Sequence, residues 1–196
     1  MENRNFNKAL LIGEAIFTGI FLFLGIFFYI HASILPNPEG TVLTSGFVVN
    51  YVNIKIYKDL GLSCLYGALF GALSLMGTLV IQNKKAKSAE KAFIVLMILF
   101  AVNAPVLSGA DSVIRLMNDN KVETVQVTGR ESLPGGRHSP PTYRLSFSNG
   151  SRIKATYEEY INVPDGATYY VIMNGNKCMG SFSSEEYTLP EYHFEQ

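Results

Sequence analysis

The sequence predicts a membrane α-helical protein: three transmembrane helices followed by a small C-terminal all-β domain, a five-stranded antiparallel roll or partly open barrel. Three observations carry this. Three apolar runs each approach the roughly 20 residues a helix needs to span hydrocarbon. After about residue 120 the pattern changes to short alternating runs of β-branched and aromatic residues. Charge divides along the same line: residues 1–110 hold eight Lys/Arg and five Asp/Glu, whereas residues 111–196 hold eight and eleven. Neither half has the basic field that nucleic-acid binding needs, so nucleic acid is excluded as a partner.

The first run, Ala9–Ile30, contains one charge, Glu14. It exceeds the 7–15 apolar residues of a cleaved signal peptide, and "HASILP" after it is a mediocre cleavage site, which favours a retained signal anchor. The second run, Leu60–Ile81, and the third, Ala92–Ala110, carry no charge. Domain boundaries follow: 1–115 for the membrane domain, with spans at 9–30, 60–81 and 92–110, and 121–190 for the β domain.

Orientation rests on the link between spans two and three. "KKAKSAEK" holds Lys84, Lys85, Lys87 and Lys91, and short cytoplasmic loops carry the Lys/Arg excess. Arg4 and Lys8 before span one agree. These six place the N-terminus and the link inside and the β domain outside, against four opposing cations, Lys55, Lys58, Arg115 and Lys121. In a bacterium that is the inner (plasma) membrane with an extracytoplasmic β domain. Residues 31–59 form an external loop whose "FVVNYVNIKIYK" fits a strand or an interfacial helix equally, with Tyr51 and Tyr57 suited to headgroup level.

Within the spans, Ser63, Gly67 and Gly71 repeat at four-residue spacing, which lets helix backbones approach closely. That stripe fits a homodimer seam or packing within the chain. Glu14 and Asn103 are the intramembrane polar candidates. Glu14 sits about one turn into its span, where it either snorkels to the interface, contacts another helix or lines an ion path. Asn103 with Pro105 marks a candidate kink.

In the tail, "VETVQVT", "TYRLSF", "RIKATY", "TYYVIM" and "KCMGSF" read as strands, and "GRESLPGGRHSPP" as a Gly/Pro-rich loop. A two-residue turn at Asn149-Gly150 would set Phe147 and Leu145 opposite Arg152 and Lys154. A three-residue turn, Ser148–Gly150 with Gly150 left-handed, pairs Leu145 with Ile153 and Tyr143 with Ala155, which matches the apolar face. "VPDG" and "MNGN" mark two more turns, and Ser183 with Glu186 a capping box or local turn.

The stretch from Tyr143 to Phe182 resembles small β domains attached to uncharacterised bacterial multi-span membrane proteins. The likeness lies in Tyr143, Asn149-Gly150, Tyr160, Gly166 and Gly180-Ser181-Phe182. It covers about forty residues; it implies a fold and no catalytic residue.

No reaction is legible. His31, His138 and His193 are scattered, Cys64 and Cys178 form no metal spacing, and no nucleophile motif is present, so catalytic, cofactor and metal residues are all assigned as none. Glu158-Glu159-Tyr160 and Glu185-Glu186-Tyr187 are two acidic pairs. On strands, adjacent carboxylates face opposite ways, so each pair alone is a poor site and reads instead as an acidic contact surface for a basic partner. The expected function is non-enzymatic: the spans anchor in the lipid bilayer while the β domain binds another protein, an envelope complex component or, as an immunity protein, a toxin. The alternative is a transporter or channel subunit with a polar path near Glu14 and Asn103.

Overall fold

The computed structural model describes residues 2–82, 88–137 and 139–190 and, in the helices, the side chains of 8–79 and of part of 92–117. Lys84, Lys85, Lys87, His138 and His193 lie outside the described residues, as do the side chains of Arg4, Lys91 and Pro105. The chain divides into a helical unit, Met1–Leu35 with Asn53–Met117, and a second unit, Pro36–Val52 with Asn118–Gln196.

The helical unit contains α1 (Glu2–Ile34), most of α2 (Ser45–Gln82) and α3 (Ser88–Met117). Two helices among the described residues are long and apolar enough to cross a membrane, Lys8–Ile34 and Ser45–Leu79, where the sequence predicts three spans. The expected third span, 92–110, lies inside α3. Seven side chains of its apolar stretch, among them Ile94, Ile98 and Phe100, are outside the described set, so α3 does not add to the count. On α1, Ile12, Ile16, Ile20, Phe23, Phe27 and Ile30 are each more than half exposed. So large an exposed apolar surface is what a lipid-facing helix presents.

α1 stops where Pro36 forbids continuation. The ambiguous segment after it resolves as helix: α2 starts at Ser45, far ahead of the apolar run. Thr44 caps it, its hydroxyl accepting from Phe47 N at 3.2 Å. At 1.5 Å per residue α2 is about 57 Å long, nearly twice the hydrocarbon core.

Small residues let α1 and α2 approach. A β carbon on Gly61 would lie 3.2 Å from the Gly25 carbonyl oxygen, and one on Gly71 would lie 2.5 Å from Thr18 Oγ1. Of the predicted stripe, Gly71 therefore faces α1 of the same chain, Gly67 is buried, and buried Ser63 donates back to Asp59 O at 2.8 Å. Gly25 and Gly61 belong to this contact and are not part of the four-residue pattern.

The second unit is a five-stranded antiparallel sheet, nearly closed into a barrel, in the order β3-β2-β1-β4-β5. The strands are β1 (Asn120–Leu133), β2 (Thr142–Phe147), β3 (Arg152–Ala155), β4 (Thr168–Asn174) and β5 (Lys177–Ser183). β1 is twice the expected length because Gly129–Leu133, read as loop, pair with β2. Its first half pairs with β4, and a register shift between Val127 and Gly129 marks the change of partner. The β2–β3 hairpin has the three-residue turn: Leu145 pairs with Ile153, Tyr143 with Ala155, and Gly150 has φ +81°. The core is Val125, Val127, Leu145, Phe147, Ala155, Tyr169, Val171 and Met173.

Residues 36–52 join this unit through backbone and rings. Leu43 N donates to Thr188 O at 2.9 Å and Thr188 N to Thr41 O at 2.8 Å. Phe182 packs against Phe47 and Tyr51 at 5.5 and 5.2 Å between ring centres. Tyr51, expected at headgroup level, thus packs on β5, and Tyr57 packs on His31 at 4.6 Å.

Candidate functional site

The segment "YEEYIN" is not strand. It forms the short helix α4 (Tyr157–Asn162), because Thr156 and Glu159 make a capping box. Thr156 Oγ1 accepts from Glu159 N at 3.2 Å, while Glu159 Oε2 accepts from Thr156 N at 2.7 Å. The expected box at Ser183 does not form: Ser183 Oγ accepts from Glu185 N, and Glu186 N and Tyr187 N donate to Ser183 O in a tight turn. Tyr143 packs on Tyr160 at 4.9 Å and Arg130 donates to the carbonyls of Tyr160 and Ile161, which holds the far end of α4.

The result is a groove of about 510 Å³ with α4 on one side and the 183–187 turn on the other. All four glutamates of the two acidic pairs line it: Glu158, Glu159, Glu185 and Glu186. Among the described residues, no Lys, Arg or His lines it. Two motifs 27 positions apart in the chain therefore share one site. Glu159 is committed to the helix cap, whereas Glu158, Glu185 and Glu186 make no ion pair among the described residues.

Tyr169 lies at the base. It is 6% exposed, with its ring on Phe147 at 5.7 Å, and its hydroxyl has no hydrogen bond among the described residues. Burial pushes its phenol above the ordinary value, and the charges of Glu159, Glu186 and Glu185 push it the same way. The phenol therefore stays a neutral donor beside uncompensated carboxylates. Such a site accepts a cation and an acceptor oxygen together. The carboxylates do not converge as a metal centre: among the described residues no group of three or more metal-ligating side chains exists.

The two intramembrane candidates are not brought together. Asn103 is exposed and its side chain donates to Leu99 O of its own helix at 2.8 Å. Glu14 does not reach for the interface; it is buried and accepts from Ser74 and Thr78 of α2. The helix contact is one of the readings the sequence offers for Glu14, but the sequence does not single out its donors, although Ser74 and Thr78 stand one turn apart in the second run. Arg115, counted as an opposing cation, is buried and paired with Asp59 and Asp111 at 3.0 and 2.9 Å.

No protein-family model matches the chain, no curated protein is found similar to it, and no solved structure matches it.

Proposed function

We propose that this is a membrane-anchored binding protein without a catalytic role, and that the β unit holds a basic segment of another protein in its acidic groove. The observation that supports this is that Glu158, Glu185 and Glu186 line one groove that, among the described residues, no cation lines and where the Tyr169 phenol has no hydrogen bond. A peptide carrying Lys or Arg supplies the countercharges, and its backbone carbonyls accept from Tyr169. A component of a cell-envelope complex and a secreted toxin are the two kinds of partner that fit such a build. The resemblance to β domains of bacterial membrane proteins points the same way.

The anchor, on this proposal, is a three-span helical domain in a bacterial inner membrane. The N-terminus and the lysine link are cytoplasmic and the β unit is extracytoplasmic.

The test uses the full chain in lipid nanodiscs and a fluorescent lysine-rich peptide followed by anisotropy. Saturable binding that weakens with salt is expected, together with a loss of about tenfold or more in Glu158→Gln/Glu185→Gln/Glu186→Gln. Glu159 is left intact because it caps α4. Equal affinity of the triple variant would end the proposal.

A further inference from the structure

Glu14 lies inside the α1 span and is 8% exposed. Its Oε1 accepts from Ser74 Oγ at 2.8 Å and from Thr78 Oγ1 at 3.1 Å, which uses both lone pairs. Its Oε2 is shielded from solvent and has no hydrogen-bond partner among the described residues. An orphaned carboxylate oxygen at this depth is costly unless something donates to it.

Glu14 also lines a cleft of about 280 Å³ together with Ala9, Leu10, Gly13, Phe17, Gly71 and Ser74. Apart from Glu14 and Ser74 the lining is apolar. Gly13 opens the cleft, since nothing lies within 4 Å of where its β carbon would be. An apolar cavity of about 150 Å³ already accepts benzene, so this cleft takes a phenylalkyl body. The complement of the whole is an apolar body with one charged N–H donor. A divalent metal is a poor match, because hard cations take about six oxygen ligands.

We propose that the cleft between α1 and α2 binds a lipophilic ammonium, whose charge is met by the Glu14 carboxylate while its apolar body lies against Leu10 and Phe17. The site belongs to the helical unit alone and is independent of the groove. Ser74 and Thr78 are positioning residues: they hold the carboxylate through Oε1 and leave Oε2 without a donor of its own among the described residues.

The probe is 4-phenylbutylammonium, with 4-phenylbutanol as the uncharged control. Both are titrated calorimetrically against the full chain in nanodiscs of phosphatidylcholine, which has no N–H donor. The wild type is expected to bind the ammonium saturably and to bind the alcohol at least about tenfold more weakly. Glu14→Gln keeps an oxygen for Ser74 and Thr78 but removes the charge, and is expected to lose roughly 30-fold or more. Gly13→Leu leaves Glu14 and its two donors in place and fills the cleft; it is expected to abolish saturable binding with an unchanged thermal melt. It decides the matter if Glu14→Gln does not fold. Equal binding by wild type and both variants would reduce the effect to lipid partitioning and overturn the proposal. So would the absence of saturable binding by the wild type. Phosphatidylethanolamine that copurifies with the wild type but not with Gly13→Leu would give the site to a lipid headgroup and overturn the assignment to a free amine.

Discussion

Arg115, near the end of α3, places Nη1 3.0 Å from Oδ2 of Asp59 in α2. Its Nη2 lies 2.9 Å from Oδ2 of Asp111 and donates to Ser112 Oγ at 2.9 Å. The guanidinium is buried while both carboxylates are about half exposed, so screening trims the pairing. Removing the arginine leaves Asp59 without its cation. Arg115→Met is expected to cost about 1–3 kcal/mol, read as a lower melting temperature in detergent. An unchanged melt would mean that the pair does not hold α3 to α2.

Gly180 is glycine because of Tyr51. A β carbon there would lie 2.5 Å from the Tyr51 hydroxyl oxygen and 2.6 Å from Cε1 of the ring. Gly180→Val is expected to push Tyr51 off β5 and loosen residues 36–44 from Thr188. Limited proteolysis should then cut within 36–44 at a rate well above wild type, with the β core still protected. Equal cleavage would show that the rings do not hold the segment.

Glu123 ties acid sensitivity to the β2–β3 turn. Its carboxyl is held below the ordinary 4.5, first by the hydrogen bond from Lys121 and then by that from Asn149, on the β2–β3 turn. A lowered folded value means that the unfolded chain binds the proton more readily. The stability from this group is therefore present above about pH 4.5 and lost as the pH falls through the folded value. The melting temperature of Glu123→Gln should fall less than that of wild type between about pH 5 and 3. Parallel curves would remove Glu123 from the acid response.

Much of the β unit is legible from local chemistry. Asn149-Gly150 with Leu145 and Ile153 specifies the hairpin register, because a slip by one residue would bury Arg152 and Lys154. The turns at Gly166 and Gly175 follow from their positive φ. The groove is not legible in the same way. Its two acidic pairs meet only once β4 and β5 are paired and α4 folds back, a tertiary relation that no local window contains. The α4 signal itself, Thr156 three residues before Glu159, is present but sits at the end of a β-patterned run that reads as strand to Tyr157. Span periodicity likewise reveals Glu14 as the odd residue but not its donors. Those lie 60 and 64 positions away on another helix, and hydroxyls cost an apolar run too little to stand out.

An envelope component or a secreted toxin as partner requires the groove to face the compartment opposite the lysine link, and one labelling experiment tests that. The native thiols, buried Cys64 and half-buried Cys178, are not disulfide-bonded; they are replaced by Ala and Ser. Ser139, exposed in the loop between β1 and β2, becomes the probe as Ser139→Cys. Intact cells or spheroplasts are treated with a membrane-impermeant maleimide, with lysed cells as control. Labelling before lysis, equal to that after it, is the predicted result and places the β unit outside the cytoplasm. Labelling only after lysis would put the β unit inside, contradict the orientation taken from Lys84–Lys91, and turn the search for a basic partner to the cytoplasm.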